Sequence, residues 1–283
     1  LAHLPKTEFL GYTDTSCEAT VLSIIKDGEE VSEINEGECS VVFDRTVFYG
    51  EGGGQVGDSG ALVGKDFTAT VLDTKKSGGV YIHEVRIDSG ILKASDTALL
   101  KIDTDRRCAI KRNHSACHLL QAALREVLGT HVEQAGSYVD EHRVRFDFTH
   151  MAAVTKEELA RVESIVNRNI LLAENCSTVV TDIDSAHKMG AMALFGEKYG
   201  DTVRVVKIGS SSTELCGGTH TSSTGEIGLF KIISESSVAA GVRRIEGTTG
   251  LGVLALLSER EELISKTARE LKVQNPLTMA EKA

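Results

Sequence analysis

His114-Ser-Ala-Cys-His118 sets two imidazoles four residues apart in a stretch patterned as a helix. Four residues turn a helix through about 400° and advance it by roughly 6 Å, so both rings leave one face and can grip a single metal ion. The alternative is two histidines that merely share a helix face. A metalloprotease helix carries Glu directly after its first histidine; Ser115 stands there instead, which argues against that class. Far downstream, Cys216-Gly-Gly-Thr-His220 offers a thiolate and a further imidazole around two glycines that let the backbone curl tightly. Three histidines and a cysteine suit tetrahedral zinc better than calcium, magnesium or an iron–sulfur cluster. Spacing alone does not bring the two halves together, but jointly they point to a Zn2+ site of His114, His118, Cys216 and His220. Four protein ligands close the coordination shell, so either one ligand is loose, or coordination expands to five, or the ion positions substrate while a water not bound to it attacks; the last is favoured over a zinc-bound hydroxide.

Other residues bear on ligand binding. Gly50-Glu-Gly-Gly-Gly-Gln55 is followed by Gly57-Asp58-Ser59-Gly60. This is no P-loop, since Gly-Lys-Ser/Thr is missing and no helix follows. Gly52, Gly53 and Gly54 ahead of Gln55 either let a ligand approach the backbone closely or form only the tip of a β-turn. A net charge of −10 argues against nonspecific coating of nucleic acid. Local cations could still hold a nucleic acid: Arg106, Arg107, Lys111 and Arg112, then Arg143 and Arg145, then Arg243 and Arg244, unless these are solvated faces. The six cysteines are widely spread, which reads as reduced thiols of a cytoplasmic protein. Cys17, Cys39, Cys108 and Cys176 are expected to pack as small hydrophobes and Cys117 to face the core. No uninterrupted apolar run approaches the length of a membrane span, and the start lacks a secretory pattern. That start also lacks Met, as an excised fragment would.

The elements that must position these groups follow from patterning. Short β-branched runs at Ala19–Ile25, Cys39–Phe43, Thr68–Leu72, Val80–Val85 and Thr97–Ile102 predict a small barrel or sandwich. At Thr104 the period changes. A helix capped by Thr104 or Asp105 carries Ile110, Leu119, Leu120, Ala123, Leu124, Val127 and Leu128 and stops at Gly129. Strands are expected at Tyr138–Val139 and Val144–Phe148, and a capping box, Thr155 to Glu158, opens a helix through about Ala173. Further strands are expected at Thr202–Ile208, Gly228–Ile233 and Val242–Glu246, then a helix from Leu251 that Pro276 breaks. The class is α+β: a small N-terminal β-barrel (1–103), an α+β zinc-binding part (104–250) and a C-terminal helix (251–283).

His-x-x-x-His with a distant Cys-Gly-Gly-Thr-His resembles the editing domain of alanyl-tRNA synthetases and of their free-standing relatives, and the zinc half of threonyl-tRNA synthetase editing domains. Glu51-Gly-Gly-Gly-Gln-Val-Gly-Asp58 resembles the alanyl family's barrel motif, which the threonyl enzymes lack. Gln134-Ala-Gly-Ser137, Arg145-Phe-Asp-Phe-Thr-His150, Ala193–Asp201 and Ala239-Ala-Gly-Val-Arg-Arg-Ile-Glu246 match as well. One departure is Gly247-Thr-Thr-Gly250, where that family more often has Ala-Val-Thr-Gly. The resemblance implies metal ligands at His114, His118, Cys216 and His220 and an active-site glutamine at Gln134. It implies hydrolysis of serine or glycine from mischarged alanine tRNA, with catalysis by Gln134, His114, His118 and Cys216. Contacts to the tRNA acceptor end would fall to Gly52, Gly53, Gly54, Gln55, Arg145, Arg243 and Arg244. The opening Phe9-Leu-Gly-Tyr-Thr and the closing helix resemble an internal piece of the synthetase, whose remaining domains would be its partners and whose ATP-dependent charging site is not among these residues.

Overall fold

A computed structural model describes residues 4–192 and 200–281, so most of the resemblance segment Ala193–Asp201 lies outside the described residues. The N-terminal strands are β1 (Ser16–Lys26), β2 (Glu38–Phe43), β3 (Gly60–Gly64), β4 (Phe67–Ser77), β5 (Val80–Gly90) and β6 (Thr97–Ile102). They pair antiparallel in the order β6-β3-β4-β5-β2-β1, and β1 returns to β6 with Thr20 opposite Thr97, which closes a six-strand barrel. Alternate residues point inward, so Val21, Val41, Phe43, Leu62, Val71, Val85 and Leu100 fill the interior. The sequence patterning misses β3 because a glycine at each end leaves Ala-Leu-Val too short to show alternation.

Helix α1 (Thr104–Leu128) starts directly after β6. Its cap is Asp103, whose carboxylate accepts the Arg106 amide; the expectation of Thr104 or Asp105 is one or two residues late. Strands β7 (Gln134–Val139) and β8 (Val144–Thr149) follow, then helix α2 (Lys156–Leu171) with the capping box formed in both directions. Next come β9 (Cys176–Asp182), α3 (Ile183–Lys188), β10 (Thr202–Ile208), β11 (Ser212–Leu215), β12 (Phe230–Ala239), β13 (Val242–Thr249) and α4 (Leu251–Glu270). One sheet runs β7-β8-β13-β12 and a second runs β9-β10-β11. Phe146, Phe148 and Ile245 of the first sheet pack on Ile110, Leu119, Leu120 and Leu124 of α1 and Val162 and Val166 of α2. Burial of each large side chain contributes about 1.5–3 kcal/mol, so this layer fixes the angle at which α1 presents its histidines. The fold is α+β with a closed barrel and a C-terminal helix. No described helix is long and apolar enough to cross a membrane.

Hydrogen bonds at several places join the barrel to the α+β layer. The loop after β2 bonds to β7, with the Val139 amide donating to Gly54 O (2.7 Å) and the Val56 amide to Val139 O (3.1 Å). Arg107 of α1 reaches under the barrel, where it pairs with buried Asp58 and donates to Gly11 O (2.6 Å) and Val47 O (2.9 Å).

Candidate metal centre

His114 and His118 leave the buried face of α1, and Cys216 and His220 come from the turn after β11. One ligand atom from each of the four lies within 4.8 Å of the others, a spacing that can hold a metal ion. Outer partners orient the three imidazoles, through hydrogen bonds at His114 and His220 and an ion-pair contact at His118. His114 Nδ1 is 2.8 Å from Gln55 Oε1, and that same oxygen accepts the Thr219 amide at 2.9 Å. A backbone amide only donates, so this atom is the carbonyl oxygen. His114 therefore carries its hydrogen on Nδ1 and turns the Nε2 lone pair into the cluster. His118 Nδ1 lies 3.0 Å from a buried Glu214 carboxylate oxygen, off the line of a straight hydrogen bond, and among the described residues neither Nδ1 nor the buried Nε2 has a hydrogen-bond partner. His220 Nδ1 is 3.2 Å from Ser115 Oγ, and its Nε2 is 3.3 Å from Cys216 Sγ.

Charge states follow the same geometry. Burial works against the Cys216 thiolate, but the imidazoles of His114 and His220 outweigh it and hold the thiol well below its ordinary range. Burial, reinforced by His114, lowers His220 to about 3, so its ring is neutral. Burial also depresses His118, yet the Glu214 carboxylate prevails and raises it. A thiolate, inward imidazole nitrogens and the orphaned Nε2 of His118 form a donor set that fits a borderline-soft cation, with outer partners of the kind that orient metal-ligating histidines.

Beside the cluster is a hollow of about 20 Å³, room for one water, lined by residues that include Gly53, Gln121, Gln134, Ser137 and Glu214. The Gln134 amide nitrogen donates to Ser137 Oγ at 3.2 Å. Gly54 has φ +81°, and a Cβ there would overlap the backbone and hydroxyl of Ser137. Gly53 reaches the hollow, whereas Gly52 bonds back to Gln55 in a turn and the Gln55 side chain is completely buried, directed at His114 and Thr219 and not outward. Arg243 makes a bidentate pair with Glu235 (2.6 and 2.8 Å) and Arg244 one with Asp147 (2.7 and 2.8 Å), so both guanidinium groups are engaged within the sheet. Arg145 stands over the Tyr138 ring, 5.5 Å from its centroid, with a buried Nε that has no hydrogen-bond partner among the described residues. Cys117 is buried as expected, but Cys108 is exposed, on the side of α1 turned from the core.

Sequence reasoning did not single out Glu214, nor Ser115 as a ligand's partner, nor Tyr12 and Arg204. Tyr12 Oη donates to Gly217 O (2.6 Å), and Arg204 Nη1 donates to Cys216 O (3.0 Å) and Gly218 O (2.7 Å), which pins the turn that carries Cys216 and His220. The available signal was general: each ligating imidazole needs an outer acceptor, but nothing local says which polar residue supplies it.

Residues 1–106 match the family described as tRNA synthetases class II (A), and residues 203–246 match the threonyl and alanyl tRNA synthetase second additional domain. The chain is 52% identical over 273 residues to the alanine–tRNA ligase of Acetivibrio thermocellus, 51% over 268 to that of Pseudomonas entomophila and 48% over 271 to that of Alkaliphilus oremlandii. These alignments cover 96%, 94% and 95% of this chain and 31% of each relative, so the chain spans about a third of the relatives' length.

Proposed function

Because this chain belongs, over the segment it spans, to the alanine–tRNA ligase family, we propose that it is an aminoacyl-tRNA deacylase that hydrolyses the ester joining serine or glycine to the terminal ribose of alanine tRNA. The observation that carries this reading is the four-residue cluster, its imidazoles oriented from outside, beside a hollow that can admit one water. The ion we assign to His114, His118, Cys216 and His220 is zinc, which when bound supplies a fixed positive charge for positioning the substrate.

The chain's own residues do the rest. Gln55, Glu214 and Ser115 hold the three imidazoles. Gln134, its amide nitrogen turned to Ser137, keeps its carbonyl oxygen for the serine hydroxyl. Gly53 leaves the rim of the hollow open to the ribose, since no side chain stands there. Serine exceeds alanine by a hydroxyl, so a synthetic pocket rejects it poorly by fit alone. A second pocket that pairs that hydroxyl excludes alanine instead, because an unmet buried polar group costs about 1–3 kcal/mol, or roughly tenfold to a hundredfold in rate. The work belongs to translation in the cytoplasm, with the other domains of the ligase as partners.

The test is incubation with Ser-tRNA and Ala-tRNA of the alanine acceptor, with and without a chelator. Serine should be released preferentially, and the chelator should abolish the release. Retention of tRNA without release would leave a binding module with structural zinc, and equal release of both amino acids would leave an enzyme without discrimination.

A further inference from the structure

A second cavity, of about 260 Å³, shares the His220 wall of the cluster but has no residue in common with the water-sized hollow. Its volume is just under the usual range for small-molecule sites, about 300–1,000 Å³, so it suits one compact polar unit and not an extended chain. Hydroxyls from Ser177, Thr178 and Thr221 line it, with two cations, Lys111 and Arg204, and one carboxylate, Glu226. That carboxylate is held by the Ser222 amide and hydroxyl. Arg204 is fixed in place: its guanidinium lies 4.1 Å from the Tyr12 ring centroid and donates to two carbonyls of the metal-binding turn and to Thr178 Oγ1. Lys111 is different. It is half-buried on α1, three residues before His114 and seven before His118, hence on the same helix face as both. Among the described residues it has neither a hydrogen-bond nor an ion-pair partner.

An ammonium held half-buried without a counterion, in a hydroxyl-lined cavity against a metal ligand, is matched to an anion. We propose that this cavity seats a phosphodiester of the tRNA 3′ strand, with Lys111 as its principal cation and Arg204 as a fixed second donor. The inference rests on the deacylase reading, which also supplies the reason for choosing phosphate. In an aminoacyl ester the amino acid's own carboxylate is consumed in the bond and carries no charge. The anions such a substrate brings to this site are therefore its phosphates.

The test uses Lys111→Ala, Lys111→Glu and Lys111→Arg with two probes, uncharged alanine tRNA titrated over a range of salt and the serine ester of adenosine, which has no phosphate. Loss of the contact should weaken tRNA binding about tenfold in the alanine variant, and further in the glutamate variant. The slope of log affinity against log salt should fall by about 0.7, the value for one single-strand phosphate. Lys111→Arg should restore both. Zinc content and the rate on the adenosine ester should stay at wild-type values in all three, while KM for Ser-tRNA rises and kcat changes little. An unchanged affinity and salt slope in Lys111→Glu would overturn the assignment, as would an equal loss on the phosphate-free ester. If the wild-type chain releases no amino acid, the deacylase reading fails by itself, and the tRNA titration still decides whether Lys111 meets a phosphate.

Discussion

At the scale of single residues, the geometry of the cluster depends on groups that stand behind its ligand atoms. Gln55 is completely buried, and one oxygen of its amide serves both His114 Nδ1 and the Thr219 amide. Gln55→Leu removes the acceptor and should weaken zinc binding about 10–100-fold, as outer partners of ligating histidines commonly do. Gln55→Glu keeps an acceptor oxygen in the same place and should retain most of that affinity. Competition with a chromophoric chelator reads both, and equal affinities in the two variants would remove Gln55 from the centre's support. Gln134 stands on the other side of the argument, at the hollow and not behind a ligand. Gln134→Leu should leave zinc content intact and lower the rate on Ser-tRNA more than that on Ala-tRNA. Parallel losses on the two esters would mean that it does not read the hydroxyl.

At the scale of elements, two glycines with similar sequence surroundings predict opposite phenotypes. A Cβ at Gly218 would overlap the His114 ring, so the turn after β11 can approach α1 only because that position is bare. Gly218→Ala should displace the ligand, and metal analysis should find zinc lost along with activity. Gly53 has φ +59° and open space around its ideal Cβ. Gly53→Val strains the loop by about 1–2 kcal/mol and fills the rim of the hollow, so deacylation should fall while zinc stays stoichiometric. Much at this scale was legible in advance. The period of α1, its stop at Gly129 and the Thr155–Glu158 capping box are local features, read within one or two helical turns. The strand β3 was not legible, because pairing on both sides, and not its own pattern, makes Gly60–Gly64 a strand.

The molecule as a whole carries a titration inside its barrel. His83 is completely buried, between Val41 O (3.0 Å) and Thr46 Oγ1 (2.8 Å), with the rings of Phe43 and Phe48 edge-on to it. Burial lowers it from an ordinary 6.5 to about 4, so the folded barrel holds it neutral where the unfolded chain would bind a proton. The resulting stability is fully present above pH 6.5 and is lost as pH falls from there through 4. The loss approaches about 3 kcal/mol, since each pKa unit corresponds to about 1.4 kcal/mol. Urea unfolding from pH 7 to 4, with chelator present so that metal release does not contribute, should show this decline. His83→Gln should make it shallower, leaving the part that the likewise depressed His220 contributes, and an unaltered pH profile in that variant would assign the decline to other groups.

The sequence by itself determined the chemistry on offer and the local frames that carry it. Residue types chose a zinc-like donor set, and helical periodicity put His114 and His118 on one face, because a turn of helix is decided by neighbours three and four residues away. Only the tertiary structure decided what those groups meet. Cys216 is 102 positions from His114, and the two come within 3.5 Å because sheet, helix and barrel pack around them. The same packing turned Gln55 inward, gave Arg243 and Arg244 carboxylates of their own, left Cys108 in solvent and set Lys111 in a cavity without a counterion among the described residues. Charge and polarity are properties of a residue, but burial and partnership belong to a neighbourhood assembled from distant parts of the chain. No local window of sequence contains that neighbourhood.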